Sequence, residues 1–123
     1  MQDSGLFVAM LEEGSAWHIL NGDFGIYKGA IYENIIADAF SKKSRPLYYY
    51  RKDSGLEIDF VTKYKEKATL IEVMASNGNI KSSKTILKNK AQYNTDLCIK
   101  FGECNVGFTG EILTLPYYMA FMI

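Results

Sequence analysis

Three acidic residues in the middle of the chain stand among apolar positions, where a carboxylate is costly. Asp59 lies in LEIDFVTKY (56–64), Glu72 lies in ATLIEVMAS (68–76), and Glu33 lies at the edge of an apolar helical stripe. Acids on neighbouring strands can share a hard divalent cation, which neutralises phosphate charge and activates water. Asp59 and Glu72 are therefore candidates to share Mg²⁺ or Mn²⁺.

The same acids also have a purely structural interpretation. A sheet that is covered on one side only exposes polar residues on its other side, so Glu57, Asp59 and Glu72 would be a solvated face. Convergence of the carboxylates of Glu33, Asp59 and Glu72 on one cleft would favour the metal site. Acids crowded in this way should show raised pKa values.

The elements that position these acids can be predicted from periodicity and turn residues. A helix is expected over 28–43, a hairpin over 46–52 and 56–64 with its turn at 53–55, and a third strand over 68–76. A loop at 77–79, a basic helix over 80–93 and the strands 96–101 and 111–118 follow, with a turn-rich edge between the two. The pattern predicts one α/β domain over 1–123, a central mixed sheet flanked by helices. Residues predicted to lie beneath the first long helix are Leu56, Ile58, Phe60, Ile71 and Val73.

The N-terminal region is predicted to hold a short helix followed by a loop. In SGLFVAMLEEG (4–14), Asp3 or Ser4 can cap the helix and Gly14 can end it. The stretch HILNGDFGIYKG (18–29) is rich in turn residues and predicts a loop.

The order of these elements resembles a known superfamily. A helix with Glu33, a hairpin strand with Asp59, a strand with Glu72-x-Met74, a helix and a strand are similar to the α-β-β-β-α-β core of the restriction-endonuclease-like, or PD-(D/E)XK, superfamily. That resemblance implies Asp59 and Glu72 as metal ligands and Glu33 in support. It covers about 28–101, most of the chain.

A second resemblance is closer. Five segments, in order, look like a C-terminal domain of unknown function found behind the ATPase module of bacterial and archaeal AAA+-type proteins: DSGLFVAML, YKGAIYENIIADAF, LYYYRKDSGLEIDFV, LIEVMAS and ILTLPYY. The resemblance implies that the chain is the C-terminal part of a longer protein, with the ATPase module as its partner. The chain itself contains no GxxxxGK[ST] phosphate-binding loop.

Position 74 departs from the superfamily pattern. A lysine usually lies two residues after the second acid, where it stabilises developing negative charge, but this chain has Met74. Lys63, Lys81 and Lys84 are the alternatives that the sequence offers. We therefore predict a non-catalytic accessory domain with an interaction or regulatory role that includes nucleic-acid contact. The alternative is a metal-dependent nuclease acting on DNA or RNA.

Composition sets further limits. With 14 basic and 14 acidic residues, net charge gives no general attraction to nucleic acid or membrane, so any basic surface must be local. The tyrosines of PLYYYRK (46–52) can stack on bases or pack across strands, and the lysines of 80–93 can follow a phosphate backbone or form a solvated helix face.

No secretory signal or membrane-spanning stretch is visible, which predicts a cytoplasmic protein. Cys98, Cys104 and His18 lack the spacing of a metal motif, and Cys98 is expected in the core.

Overall fold

Alternating and β-branched segments build a six-stranded mixed sheet in the computed structural model, which describes residues 3–75 and 80–123. The strands are β1 Tyr48–Arg51, β2 Glu57–Tyr64, β3 Lys67–Val73, β4 Thr95–Gly102, β5 Gly107–Thr109 and β6 Ile112–Pro116. Their order across the sheet is β1-β2-β3-β4-β6-β5. The neighbours β3–β4 and β4–β6 are parallel, and the other neighbours are antiparallel. The predicted α/β class with a mixed sheet flanked by helices is confirmed, as is the pairing of β2 with β3.

Within the described residues, five α-helices accompany the sheet. They are α1 Ser4–Ala9, α2 Ser15–Leu20, α3 Lys28–Lys42, α4 Lys81–Lys88 and α5 Lys90–Tyr93, with 3₁₀ turns at Gly25–Tyr27 and Tyr117–Met122. Asp3 caps α1 as predicted, because its carboxylate accepts the Leu6 N–H at 2.8 Å. No helix in the described ranges is long and apolar enough to cross a membrane.

Two predicted boundaries are wrong. The stretch 18–29 was expected to be loop, but α2 covers its start through Leu20, and Gly14 precedes that helix in the left-handed region with φ 88°. The basic helix over 80–93 is divided, because Asn89 leaves helical geometry between α4 and α5. The predicted loop at 77–79, and Ser76 before it, lie outside the described residues.

One face of the sheet packs against α3 through a large apolar core. The helix contributes residues at helical spacing, which explains why the stripe was readable from the sequence. Phe40 meets Phe101 edge to face, with ring centroids 6.3 Å apart. The buried members of this core are Ile36, Ala39, Phe40, Ile71, Val73, Ile99, Phe101, Leu115, Ala120 and Ile123.

The opposite face packs against α4 through a smaller core. Its buried members are Ile58, Leu70, Ile80, Ile86, Leu87 and Cys98. The predicted burial of Cys98 is therefore confirmed. Leu56 and Met74 pack against this core from its margin.

A β-bulge in β2 divides its apolar residues between the two faces. Tyr48 pairs with Val61 and Tyr50 with Ile58, so three steps on β2 match two steps on β1. Phe60 consequently packs on the α3 side, whereas Ile58 packs on the α4 side. Phe60, Ile71 and Val73 lie beneath α3 as predicted; the placement of Leu56 and Ile58 there is wrong, because strict alternation fails at the extra residue.

Candidate metal site

Asp59 lies in the bulge, at the point where β2 and β3 stop pairing. The paired residues run from Tyr64 and Lys67 to Phe60 and Ile71. Beyond them, the Asp59 carboxylate accepts the Val73 N–H at 2.7 Å. The side chain thus replaces a strand–strand hydrogen bond, and the bulge fixes a carboxylate in the gap between the two strands.

Glu72 comes from β3, on the α4 side of the sheet. Leu70 and Met74 pack on that side, while Ile71 and Val73 pack on the α3 side, so alternation places Glu72 with the former pair. Its side chain is only 7% exposed. Ser83 of α4 donates its hydroxyl to Glu72 Oε1 at 2.5 Å, which ties the helix to the strand.

The carboxyl groups of Asp59 and Glu72 interact electrostatically, and both are destabilised as anions. The pKa of Glu72 is raised to about 7. Burial is the main cause, and the nearby Asp59 carboxyl group contributes to the same rise. Burial also raises the pKa of Asp59, although the Val73 N–H and Glu72 oppose that change.

Glu33 comes from α3, on the face of the sheet opposite to Glu72, and the convergence of Glu33, Asp59 and Glu72 on one cleft stays a prediction. It lies three residues before Ile36 and seven before Phe40, on the stripe that faces the sheet. Burial raises the pKa of its carboxyl group, and Asp59 and then Glu57 raise it further. Asp59 thus interacts electrostatically with both Glu72 and Glu33. The assignment of these residues as site residues stays a prediction.

The donor set suits a magnesium-like cation. Mg²⁺ in proteins commonly takes one or two carboxylates and completes its shell with water and phosphate oxygens. Asp59 and Glu72 offer two carboxylates, and no lysine or arginine in the described ranges forms an ion pair with either. No group of three or more His, Cys, Asp or Glu side chains within residues 3–75 and 80–123 is arranged to hold a metal ion.

Met74 is held firmly at the position where the superfamily has lysine. Its N–H donates to the Phe101 carbonyl at 2.9 Å, and its own carbonyl accepts the Tyr117 hydroxyl. Tyr117 in turn stacks on Tyr32, with ring centroids 4.1 Å apart. The Met74 side chain shares the α4 side with Glu72 and supplies an apolar group there.

The lysines that the sequence offers as substitutes differ in placement. Lys63 lies toward the far end of β2 from Asp59, where its ammonium pairs with Glu66 at 2.6 Å. Lys81 and Lys84 are exposed residues of α4, the helix that carries Ser83. The structure therefore excludes Lys63 from a role beside the acids.

Sequence reasoning missed Lys100. In the parallel pairing of β3 and β4, Lys100 is the register partner of Glu72. Cys98 packs on the α4 side and Ile99 and Phe101 on the α3 side, so alternation puts Lys100 on the same face as Glu72. The only available signal was one charged residue in an apolar strand. A charged residue alone does not show that Glu72 is its neighbour, because the register of two parallel strands is set by the long segment that connects them.

The remaining candidate residues lie apart from the acids. Tyr50 meets Tyr93 edge to face at 6.1 Å, as expected for packing, while Tyr48 and Tyr49 are exposed on the outer strand. His18 lies 3.7 Å from Asp23 in the N-terminal region.

Residues 28–118 match the family model described as Domain of unknown function (DUF4143). No curated protein and no solved structure matches the chain.

Proposed function

We propose, from the premise that the chain belongs to the DUF4143 family of domains of unknown function, that it is a non-catalytic accessory domain whose acidic site binds a divalent cation and contacts nucleic acid. The observation that carries the proposal is the pairing of half-buried Asp59 with buried Glu72. Two carboxylates with raised pKa values and no cationic partner among the described residues are costly unless a ligand neutralises them.

A restriction-endonuclease-like architecture is part of this proposal. The order α3–β1–β2–β3–α4–β4, with acids on α3, β2 and β3, supports it. In such a site the cation would lie between Asp59 and Glu72, and Glu33 would hold one of its waters. The cation would supply the positive charge that attracts a backbone phosphate.

The non-catalytic part of the proposal depends on Met74. A thioether carries no charge and transfers no proton, and loss of one stabilising group typically lowers a rate on the order of a hundred- to a thousand-fold. Lys63 cannot compensate, because it pairs with Glu66 away from the acids. We expect the purified domain to show no robust cleavage of DNA or RNA.

The role proposed for the domain is interaction or regulation within a longer cytoplasmic protein. Its partner would be an AAA+-type ATPase module encoded upstream in the same chain. An open reading frame that continues upstream through a phosphate-binding loop would support this arrangement. An open reading frame without such a loop would overturn the proposal of an ATPase partner, but it would not affect the proposal of a metal site.

Manganese binding tests the site directly. Free Mn²⁺ can be measured by electron paramagnetic resonance during titration of wild type, Asp59→Asn and Glu72→Gln, with Asp53→Asn in the exposed β1–β2 turn as the matched control. We expect binding in wild type and the control and its loss in the two site variants. Unchanged binding in Asp59→Asn would rule out the site.

The second candidate, a metal-dependent nuclease, is favoured by one observation: Lys100 lies beside Glu72 in the sheet. Single-stranded DNA, double-stranded DNA and RNA should each be incubated with the domain and Mg²⁺ or Mn²⁺. Clear turnover that disappears in Asp59→Ala and Glu72→Ala would overturn the non-catalytic proposal in favour of the nuclease.

A further inference from the structure

A row of polar residues crosses three parallel strands next to the acid pair. Glu72 on β3 is in register with Lys100 on β4, and Lys100 is in register with Thr114 on β6. Adjacent strands lie about 4.8 Å apart, so the three residues are lateral neighbours. The row therefore extends from the acidic site toward the opposite edge of the sheet.

All three side chains project from the same face. Leu70, Cys98 and Ile112 precede them by two residues on their strands, and each of these belongs to or packs against the α4-side core. The charge of Lys100 also lowers the pKa of the Cys98 thiol, although burial keeps that pKa raised to about 12 overall.

The far end of the row is open. Thr114 pairs with Gly107 on the edge strand β5. A Cβ atom built on Gly107 would meet nothing within 4 Å, and Gly107 itself is exposed. Lys100 and Thr114 are half-buried, so their polar ends border solvent. An extended ligand can approach the sheet here without a clash at β5.

We infer that Lys100 and Thr114 form a phosphate subsite, which binds a backbone phosphate of a nucleic acid adjacent to the one held at Asp59 and Glu72. The inference rests on the proposed function, because the acid pair places the first phosphate through its cation. Lys100 supplies three N–H donors and a positive charge, and Thr114 supplies a hydroxyl donor. No sequence preference follows, since phosphates carry no base information.

Fluorescence anisotropy with a short fluorescein-labelled single-stranded oligonucleotide, in the presence of Mn²⁺, tests the subsite. Lys100→Met should weaken binding roughly tenfold, as expected for a charge-assisted hydrogen bond, and Thr114→Val should weaken it about threefold. The slope of log affinity against log salt should fall by about 0.7 in Lys100→Met. Lys100→Arg should retain affinity, and Lys88→Met, on the exposed side of α4, is the matched control.

Separate readouts distinguish failure of the subsite from failure of the proposed function. Equal affinities in Lys100→Met, Lys88→Met and wild type, with oligonucleotide binding still lost in Asp59→Asn, would overturn the subsite alone. Wild-type protein that binds neither Mn²⁺ nor oligonucleotide would overturn the proposed function and the subsite with it. Retained Mn²⁺ binding in Lys100→Met, together with weakened oligonucleotide binding, would support the subsite and show that the variant is folded.

Discussion

The two faces of the sheet bury very different chemistry. On the α3 face, a large apolar core includes residues of the 3₁₀ turn Tyr117–Met122, and the buried polar residue Thr62 bonds to the Pro46 carbonyl. On the α4 face, a smaller apolar core adjoins the buried Glu72 and Ser83, with Lys100 and Thr114 next to them. The difference indicates that the larger apolar core on the α3 face offsets the free-energy cost of burying charged groups on the α4 face.

The largest effect is expected from Phe101→Ala, on the α3 face. Phe101 is 0% exposed and contacts Phe40, so its truncation leaves a cavity and should lower the free energy of unfolding by about 3–5 kcal/mol. Urea denaturation measures the loss. Phe108→Ala, on the exposed edge strand, is the control and should change stability by less than about 0.5 kcal/mol. A loss below about 1 kcal/mol in Phe101→Ala would contradict the assignment of stability to this face.

The next largest effect is an increase in stability, and it is expected from Glu72→Gln on the α4 face. Since the folded pKa of Glu72 is raised from 4.5 to about 7, ionisation opposes folding, and wild-type stability should fall as pH rises through that interval. At about pH 8, Glu72→Gln should therefore be more stable than wild type, by on the order of 3 kcal/mol at most. The substitution keeps an oxygen that accepts the Ser83 hydroxyl.

Urea denaturation at several pH values checks this prediction. The exposed Glu12→Gln variant should follow the wild-type pH dependence. Equal slopes for wild type and Glu72→Gln between pH 4.5 and about 7 would show that Glu72 titrates normally.

A smaller effect is expected for the pH dependence of Mn²⁺ affinity. Glu72 must lose its proton before both of its oxygens are available to a metal, so affinity should rise about tenfold from roughly pH 6 to pH 8. Titrations followed by electron paramagnetic resonance measure it. An affinity independent of pH over this range would mean that the metal does not engage Glu72.

The smallest effect on stability is expected from Met74→Lys. The substitution removes an apolar group from the margin of the α4-side core but places an ammonium beside Asp59 and Glu72, so the net change should stay within about 1 kcal/mol. The new charge should bring the pKa of Glu72 down and flatten the pH dependence of stability. Any nuclease activity should rise instead of falling, which the oligonucleotide cleavage assay measures. Met10→Lys, at an exposed position, is the matched control.

Local patterns in the sequence predicted where helices and strands occur better than they predicted how the strands pair with one another. The apolar stripe of α3 and the hairpin of β1 and β2 depend on residues close together in the chain, and both were predicted correctly. The bulge at Asp59 and Phe60 was missed because LEIDFVTKY alternates from Leu56 to Phe60, and the two successive apolar residues Phe60 and Val61 were not recognised as a sign of an extra residue. Only pairing with β1 reveals the extra residue.

The candidate acids could be chosen from the sequence for a related reason, although their role stays a prediction. A carboxylate in an apolar strand stands out locally, so Asp59 and Glu72 could be chosen without a structure. The position of Lys100 next to Glu72 could not be predicted from the sequence. It depends on which residue of β3 pairs with which residue of β4, and a helix separates the two strands in the chain. A parallel register has no short turn to set it.

The hydrogen bond between the Val73 N–H and Asp59 makes this amide a natural spectroscopic reporter. Its proton is directed at a carboxylate oxygen, so its chemical shift should respond when Asp59 is protonated or binds a cation. The Met74 amide, one residue further, donates to a backbone carbonyl and provides an internal reference. The difference between two adjacent resonances in a ¹⁵N-labelled sample would therefore report the charge state of the site without any added probe.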